Sequence, residues 1–284
     1  MATLTGRDDE VLAFLHVTKT GGRTLQRVLK DILRSEGGQS RNFDGSLRAR
    51  DEFVHETAEC RNRYDLLHGH FQFGIHDYID RPVRYITLLR NPVDRVVSQY
   101  YHILEDPRHY LHSIVTNSRW SLIDFIENSL PRDADNGTIR CLTTRSLWHG
   151  RVGDVTREEL DTARSNLFEQ VSVFGLTERF DESLILMAER FGWPDEFLRY
   201  ERRNVTKRPH TSDLSAVERR AVDAITELEQ ELFQEAREKL DQIIREQPAA
   251  FRARLERFVR ENPGSNPIYD ERGVRIDGVH CSQS

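Results

Sequence analysis

Apolar residues run from Val11 to Val17 with His16 as the one interruption, and from Leu25 they recur at Val28, Leu29, Ile32 and Leu33. A short continuous apolar run is the pattern of a strand buried on both faces, whereas a three-and-four spacing marks one side of an amphipathic helix. The pair repeats further on. Residues 84–89 are rich in strand formers, and Val93, Val96, Val97, Tyr100, Tyr101 and Leu104 follow at helical spacing. Residues 64–70 and 171–176 predict two more strands, the latter followed by Leu184, Ile185, Ala188 and Phe191 in helical register. Helical pieces are expected over 122–130, 136–144 and 158–168. From Asp213, a suitable N-cap, Leu214, Val217, Ala221, Ile225, Leu228, Leu232, Leu240 and Ile243 mark one or two long helices. Strands alternating with helices predict an α/β fold, three layers with a central parallel sheet flanked by helices and a helical C-terminal extension. Ligands of such sheets sit at the carboxyl ends of the strands. The division expected is one domain over 1–250, then a C-terminal helix and tail over 251–284, with a break at Pro263-Gly264.

The connections carry the candidate chemistry. Between the first strand and its helix stand Thr18, Lys19, Thr20, Gly21, Gly22, Arg23 and Thr24. Glycines let backbone N–H groups approach an anion closely, the helix N-terminus adds unpaired donors and partial positive charge, and Lys19 adds a full charge. The design is P-loop-like, but in the nucleotide-triphosphate loop the Lys follows the last glycine, and here it precedes both. After residues 84–89 come Arg90, Asn91 and Pro92, with Asn91 suited to cap the next helix, Pro92 to its first position, and Ser98 two turns along it. If 64–70 is extended, alternation puts Leu66, His68 and His70 on one face at the end of a strand.

The order of these residues resembles the 5′-phosphosulfate loop of sulfotransferases that use 3′-phosphoadenosine 5′-phosphosulfate (PAPS), in particular the glycan-modifying heparan and uronyl 2-O-sulfotransferase branch with its H-x-P-K-T-G-G/A-[ST]-[ST] pattern. His16, Lys19, Thr20, Gly21, Gly22 and Thr24 match; Thr18 stands at the usual proline and Arg23 at a small hydroxyl residue, where a guanidinium supplies a charge-assisted bond instead. The resemblance implies that Lys19, Thr20, Gly21, Gly22, Arg23 and Thr24 hold the 5′ end of PAPS. Arg90 and Ser98, eight residues apart as in that family, then hold the 3′-phosphate. His68-Gly69-His70 resembles the branch's H-G-H element, which implies His70 as catalytic base and His68 as its neighbour in placing the acceptor. An imidazole titrating near neutrality is suited to accept a proton from a weakly acidic hydroxyl. Lys207 and Arg208 resemble the late loop over the cofactor, and Val171 onward resembles the branch's strand, loop and helix. The resemblance spans about residues 11–240.

Composition narrows the surroundings. A formal charge of −6 argues against nucleic acid as partner, and 37% hydrophobic residues in 284 suffice for one sizeable α/β core. Cys60, Cys141 and Cys281 are odd in number and far apart, unlike a secreted disulfide framework. With no signal-like start and no apolar run long enough to span a bilayer, a cytoplasmic protein is expected, with a homo-oligomer allowed. The expected activity is sulfuryl transfer from PAPS, leaving PAP, to a hydroxyl-bearing acceptor, a saccharide foremost. His-x-His is also a metal-pair spacing, but the phosphosulfate motif accounts for it and no metal is expected. Two alternatives remain open: a nucleotide-binding kinase or NTPase, and a non-catalytic scaffold that binds PAP.

Overall fold

The computed structural model describes residues 4–7, 9–128, 133–144, 151–201 and 211–265. Five parallel strands, β1 (Val11–Leu15), β2 (Ser40–Phe43), β3 (Leu66–Gly69), β4 (Val83–Leu89) and β5 (Val171–Leu176), form one sheet in the order β2-β3-β1-β4-β5. Strands β2 and β3 lie on one side of β1, and the later strands β4 and β5 on the other. Such a reversal opens a crevice at the strands' carboxyl ends. All five residues of β1 are buried, because the central strand has a layer of helices on each face.

Helix α1 (Gly22–Glu36) follows β1, α2 (Leu47–His55) and α3 (Ala58–Arg61) lie between β2 and β3, and α4 (Pro92–Glu105) follows β4. They are followed by α5 (His112–Asn117), α6 (Leu122–Glu127), α7 (Gly137–Leu142), α8 (Arg157–Ser165), α9 (Phe180–Phe191), α10 (Ala216–Arg245) and α11 (Ala249–Glu261). Helix α1 presents Leu25, Val28, Leu29, Ile32 and Leu33 to the sheet, the stripe its spacing predicts. A smaller core gathers Val93, Val96, Val97, Tyr100 and Ile103 of α4 with Val115, Phe125, Val222 and Ile225. Helix α11 buries Phe251, Leu255 and Phe258 in the main core. Among the described residues no helix is long and apolar enough to cross a membrane.

Three expectations need correction. Strand β2 and helices α2 and α3 were not anticipated, since β2 is a four-residue edge strand with only Phe43 buried and so lacks an apolar run. Helix α10 is a single helix of 30 residues, and its cap is Ser215, not Asp213. Ser215 accepts from the Glu218 N–H while the Glu218 carboxylate accepts from the Ser215 N–H, a reciprocal pair that Asp213 lies too early to make. The strand over 64–70 spans only Leu66–Gly69 and so ends before His70.

Candidate functional site

The carboxyl ends of β3, β1, β4 and β5 lie side by side, and each delivers a candidate residue. After β1, Lys19 and Gly21 both adopt left-handed backbone conformations, with φ of 66° and 74°. Turns of this kind aim successive N–H groups into one concavity, an anion cradle. The conformation costs a non-glycine residue about 1–2 kcal/mol, so its place in a phosphate-type loop is informative. Thr20 is fully buried and its hydroxyl donates to the Val17 carbonyl at 2.8 Å, which ties the turn together from inside. Gly21 caps α1 without a side chain, and no acidic residue occupies the helix's first turn. The first-turn amides and the positive end of the helix dipole thus face the loop with Lys19, Arg23 and Thr24. Gly22 is obligatory for another reason: a Cβ there would stand 2.2 Å from Cδ2 of His16.

Arg90 follows β4, and its Nη1 donates to the Lys19 carbonyl at 3.0 Å. The two cationic corners therefore adjoin. Asn91 caps α4 by accepting from the Asp94 N–H, with Pro92 at the first helical position. Its own N–H donates to Glu178 Oε1 at 2.8 Å. Ser98 is buried on α4, two turns beyond Arg90. From the end of β5, the Thr177 hydroxyl reaches the Thr20 carbonyl at 2.7 Å and the Leu89 carbonyl at 2.9 Å. Thr177 thus clasps the loops after β1 and β4 together. Thr177 and Glu178 carried no assignment from the sequence; their position just past a strand was the available signal.

Gly69 closes β3 with φ 122°, and a Cβ there would lie 2.1 Å from the Phe43 carbonyl oxygen. Beyond it the His70 N–H donates to that same carbonyl at 2.9 Å. The His70 side chain is half-buried, its Nδ1 is 2.8 Å from the His16 carbonyl, and the two imidazoles stack at 4.5 Å. A carbonyl only accepts, so Nδ1 carries the hydrogen and Nε2 of the neutral ring keeps its lone pair. Burial pulls the His70 pKa below the ordinary imidazole value, while the bond to His16 and the charges of Asp133 and Asp44 act the other way.

His68 is placed differently. It is 1% exposed between the sheet and α1, with Nδ1 3.3 Å from the Gln26 amide nitrogen, and burial lowers its pKa to about 4. The residue is enclosed beside Gln26 of α1, whereas alternation alone treats it as the equal of His70. His16 matched the loop pattern in the sequence but had no role assigned there. It is buried between Phe14 and His70, and burial puts its pKa well below the ordinary value. A histidine inside an apolar run reads as core until its parallel neighbour is known. Lys207 and Arg208 lie outside the described residues.

The family comparison and the structure search bear on the same segment. The chain matches the sulfotransferase family over residues 3–246. No curated protein matches it. Among solved structures, mouse sulfotransferase SULT7A1 complexed with PAP is similar at 14% identity and a TM-score of 0.45, the alignment covering 79% of this chain and 88% of that one.

Proposed function

The chain belongs to the sulfotransferase family, and on that basis we propose that it takes the sulfuryl group of PAPS and delivers it to a carbohydrate hydroxyl with His70 as base. The observation that carries this reading is the bond from Arg90 to the Lys19 carbonyl, which joins two cationic strand ends into one anion-binding crevice. The donor set suits a nucleotide with phosphate at both ends: Lys19, Arg23 and the α1 N-terminus at one corner, Arg90 and Ser98 at the next. PAPS supplies an activated sulfuryl group on a phosphate leaving group. Lys19 and the α1 amides offset the charge that grows at the departing phosphate oxygen. Arg90 and Ser98 fix the 3′-phosphate and with it the alignment of the transferring group. Nε2 of His70 receives the proton of the acceptor hydroxyl as that oxygen bonds to sulfur.

The test is transfer of label from ³⁵S-PAPS to a panel of saccharides, lipids and simple alcohols, with PAP affinity measured by calorimetry. Labelled saccharide supports the reading. Label only on other acceptors overturns its carbohydrate half, and lack of PAP binding overturns the donor.

Two outcomes follow for the same assay. Arg90→Ala weakens PAP binding about 30-fold, the roughly 2 kcal/mol typical of a hydrogen bond to a charged group, and leaves affinity for the analogue without a 3′-phosphate little changed. Equal losses for both nucleotides would remove Arg90 from the 3′ end. The acid limb of the pH profile of kcat/KM should also have its midpoint below the ordinary imidazole value. His70 works as base only when neutral, the neutral form dominates above its pKa, and burial sets that pKa below the ordinary imidazole value. The acid limb thus lies below about 6.5, and a limb above it contradicts the assignment.

A further inference from the structure

Sheet pairing stops short of the phosphate corners. The ladder between β1 and β4 ends at Leu15 and Thr87, before Lys19 and Arg90 are reached. Strand β5 pairs further along β4, as far as Leu176 beside Leu89, so the next residue, Thr177, stands where the Arg90 corner begins. Its hydroxyl lies 2.7 Å from the Thr20 carbonyl of one corner and 2.9 Å from the Leu89 carbonyl of the other. A hydroxyl has one hydrogen and a carbonyl only accepts, so that hydrogen is shared between the two corners. The Cγ2 methyl of Thr177 packs on Gly21, where a Cβ would lie 3.4 Å from it. Glu178 accepts the Asn91 N–H at 2.8 Å, so the peptide groups on both sides of Arg90 are held from the end of β5. Arg90 in turn holds the Lys19 carbonyl at 3.0 Å.

These bonds fix directions as well as positions. The peptides here are trans, and a trans peptide points its carbonyl and its N–H to opposite sides. Pinning the Thr20 carbonyl toward β5 therefore aims the Gly21 N–H the other way, and pinning the Leu89 carbonyl settles the peptide plane from which Arg90 starts. We infer that Thr177 is a positioning residue that sets the separation of the two corners and so selects nucleotides phosphorylated at both ends. This rests on the proposed placing of the 5′ end at the Lys19 loop and the 3′-phosphate at Arg90, and it needs neither His70 nor a particular acceptor. A ligand with two phosphates gains from both only when the seats stand at its own spacing, whereas a ligand with one phosphate settles into its seat alone. Loss of the shared hydrogen should therefore weaken the doubly phosphorylated nucleotide and spare the singly phosphorylated ones.

Calorimetry on the full chain with PAP, adenosine 5′-monophosphate and adenosine 3′-monophosphate tests it. Thr177→Val keeps the shape and the methyl on Gly21 but removes the donor. It should weaken PAP about tenfold, the scale of a carbonyl left without its bond, and change each mononucleotide by less than about threefold. Thr177→Ser keeps the hydroxyl and should return PAP affinity to within about threefold of the wild-type protein. A purely structural role would lower Tm or the bound stoichiometry and leave Kd of the folded protein unmoved for every nucleotide, which overturns the inference. A mononucleotide that loses as much as PAP also overturns it, because Thr177 would then serve one corner only. Should the valine variant fail to fold, Thr177→Ala removes the same donor and is read by the same outcomes. If the wild-type protein does not bind PAP, the donor reading falls and this inference with it; if it binds PAP and the variants without the hydroxyl bind it equally well, this inference alone falls.

Discussion

Replacing His70 by alanine should lower kcat about a thousandfold while PAP affinity stays close to that of the unaltered protein, because the contribution of a positioned base to such a step is of that order. The geometry is specific about which atom acts. Nδ1 is committed to the His16 carbonyl at 2.8 Å, so the lone pair for the acceptor proton is on Nε2. Alanine also removes the ring that stacks on His16 at 4.5 Å, and a loss of rate could then reflect a loosened loop. His70→Asn separates the two effects: its amide still donates toward the His16 carbonyl, yet it has no group that can take up a proton. Single-turnover rates with labelled PAPS should fall alike in both variants. Retention of more than a tenth of the activity in the asparagine variant would take the base away from His70. His68→Ala makes the contrast, since that ring is closed in under α1 beside Gln26. Its loss should appear chiefly as a lower Tm, through a cavity in the core.

The two strand-turn-helix corners were legible because everything that makes them is local. A buried apolar run, a lysine and glycines, then a stripe at helical spacing define β1 and α1. Asn91 and Pro92 announce the start of α4 in the same way, and the structure shows both in those roles. That the corners meet was not readable from chain order, because β2 and β3 come between β1 and β4 and only the sheet order makes the two neighbours. What the sequence could not show depends on contacts between distant segments. Alternation treats His68 and His70 as equivalent, and they differ because Gly69 turns the chain where it meets Phe43 of β2. That strand, with one buried residue, leaves no periodic trace. His16 gains its role only from the parallel pairing of β1 with β3, which sets its carbonyl and ring against His70. Asp133 lies in a polar break between two helical pieces, and only the Arg95 and Gln99 side chains of α4 fix it in place.

Glu229→Ala should destabilise the protein by about 3–5 kcal/mol, the cost of leaving a buried charge without its partner. Arg95 and Glu229 are both enclosed, at 0% and 1% exposure, and the guanidinium donates to the two carboxylate oxygens at 2.8 and 2.7 Å. The carboxylate also accepts from the Thr138 N–H at 3.2 Å and from the Thr138 hydroxyl. Alanine would orphan Arg95 Nε and the Thr138 donors at once and leave Nη2 only its bond to the Ala134 carbonyl, in a core where both partners are enclosed. Urea unfolding should show a lower midpoint at unchanged slope, and a loss under about 1 kcal/mol would mean that the pair is solvated in solution. Glu229→Gln keeps an acceptor but not the charge, so its loss should be smaller. Replacing both partners with apolar residues of similar volume removes the unpaired charge and should recover most of the stability. That double variant still lacks the Arg95 bond that holds the Asp133 carbonyl at 2.5 Å.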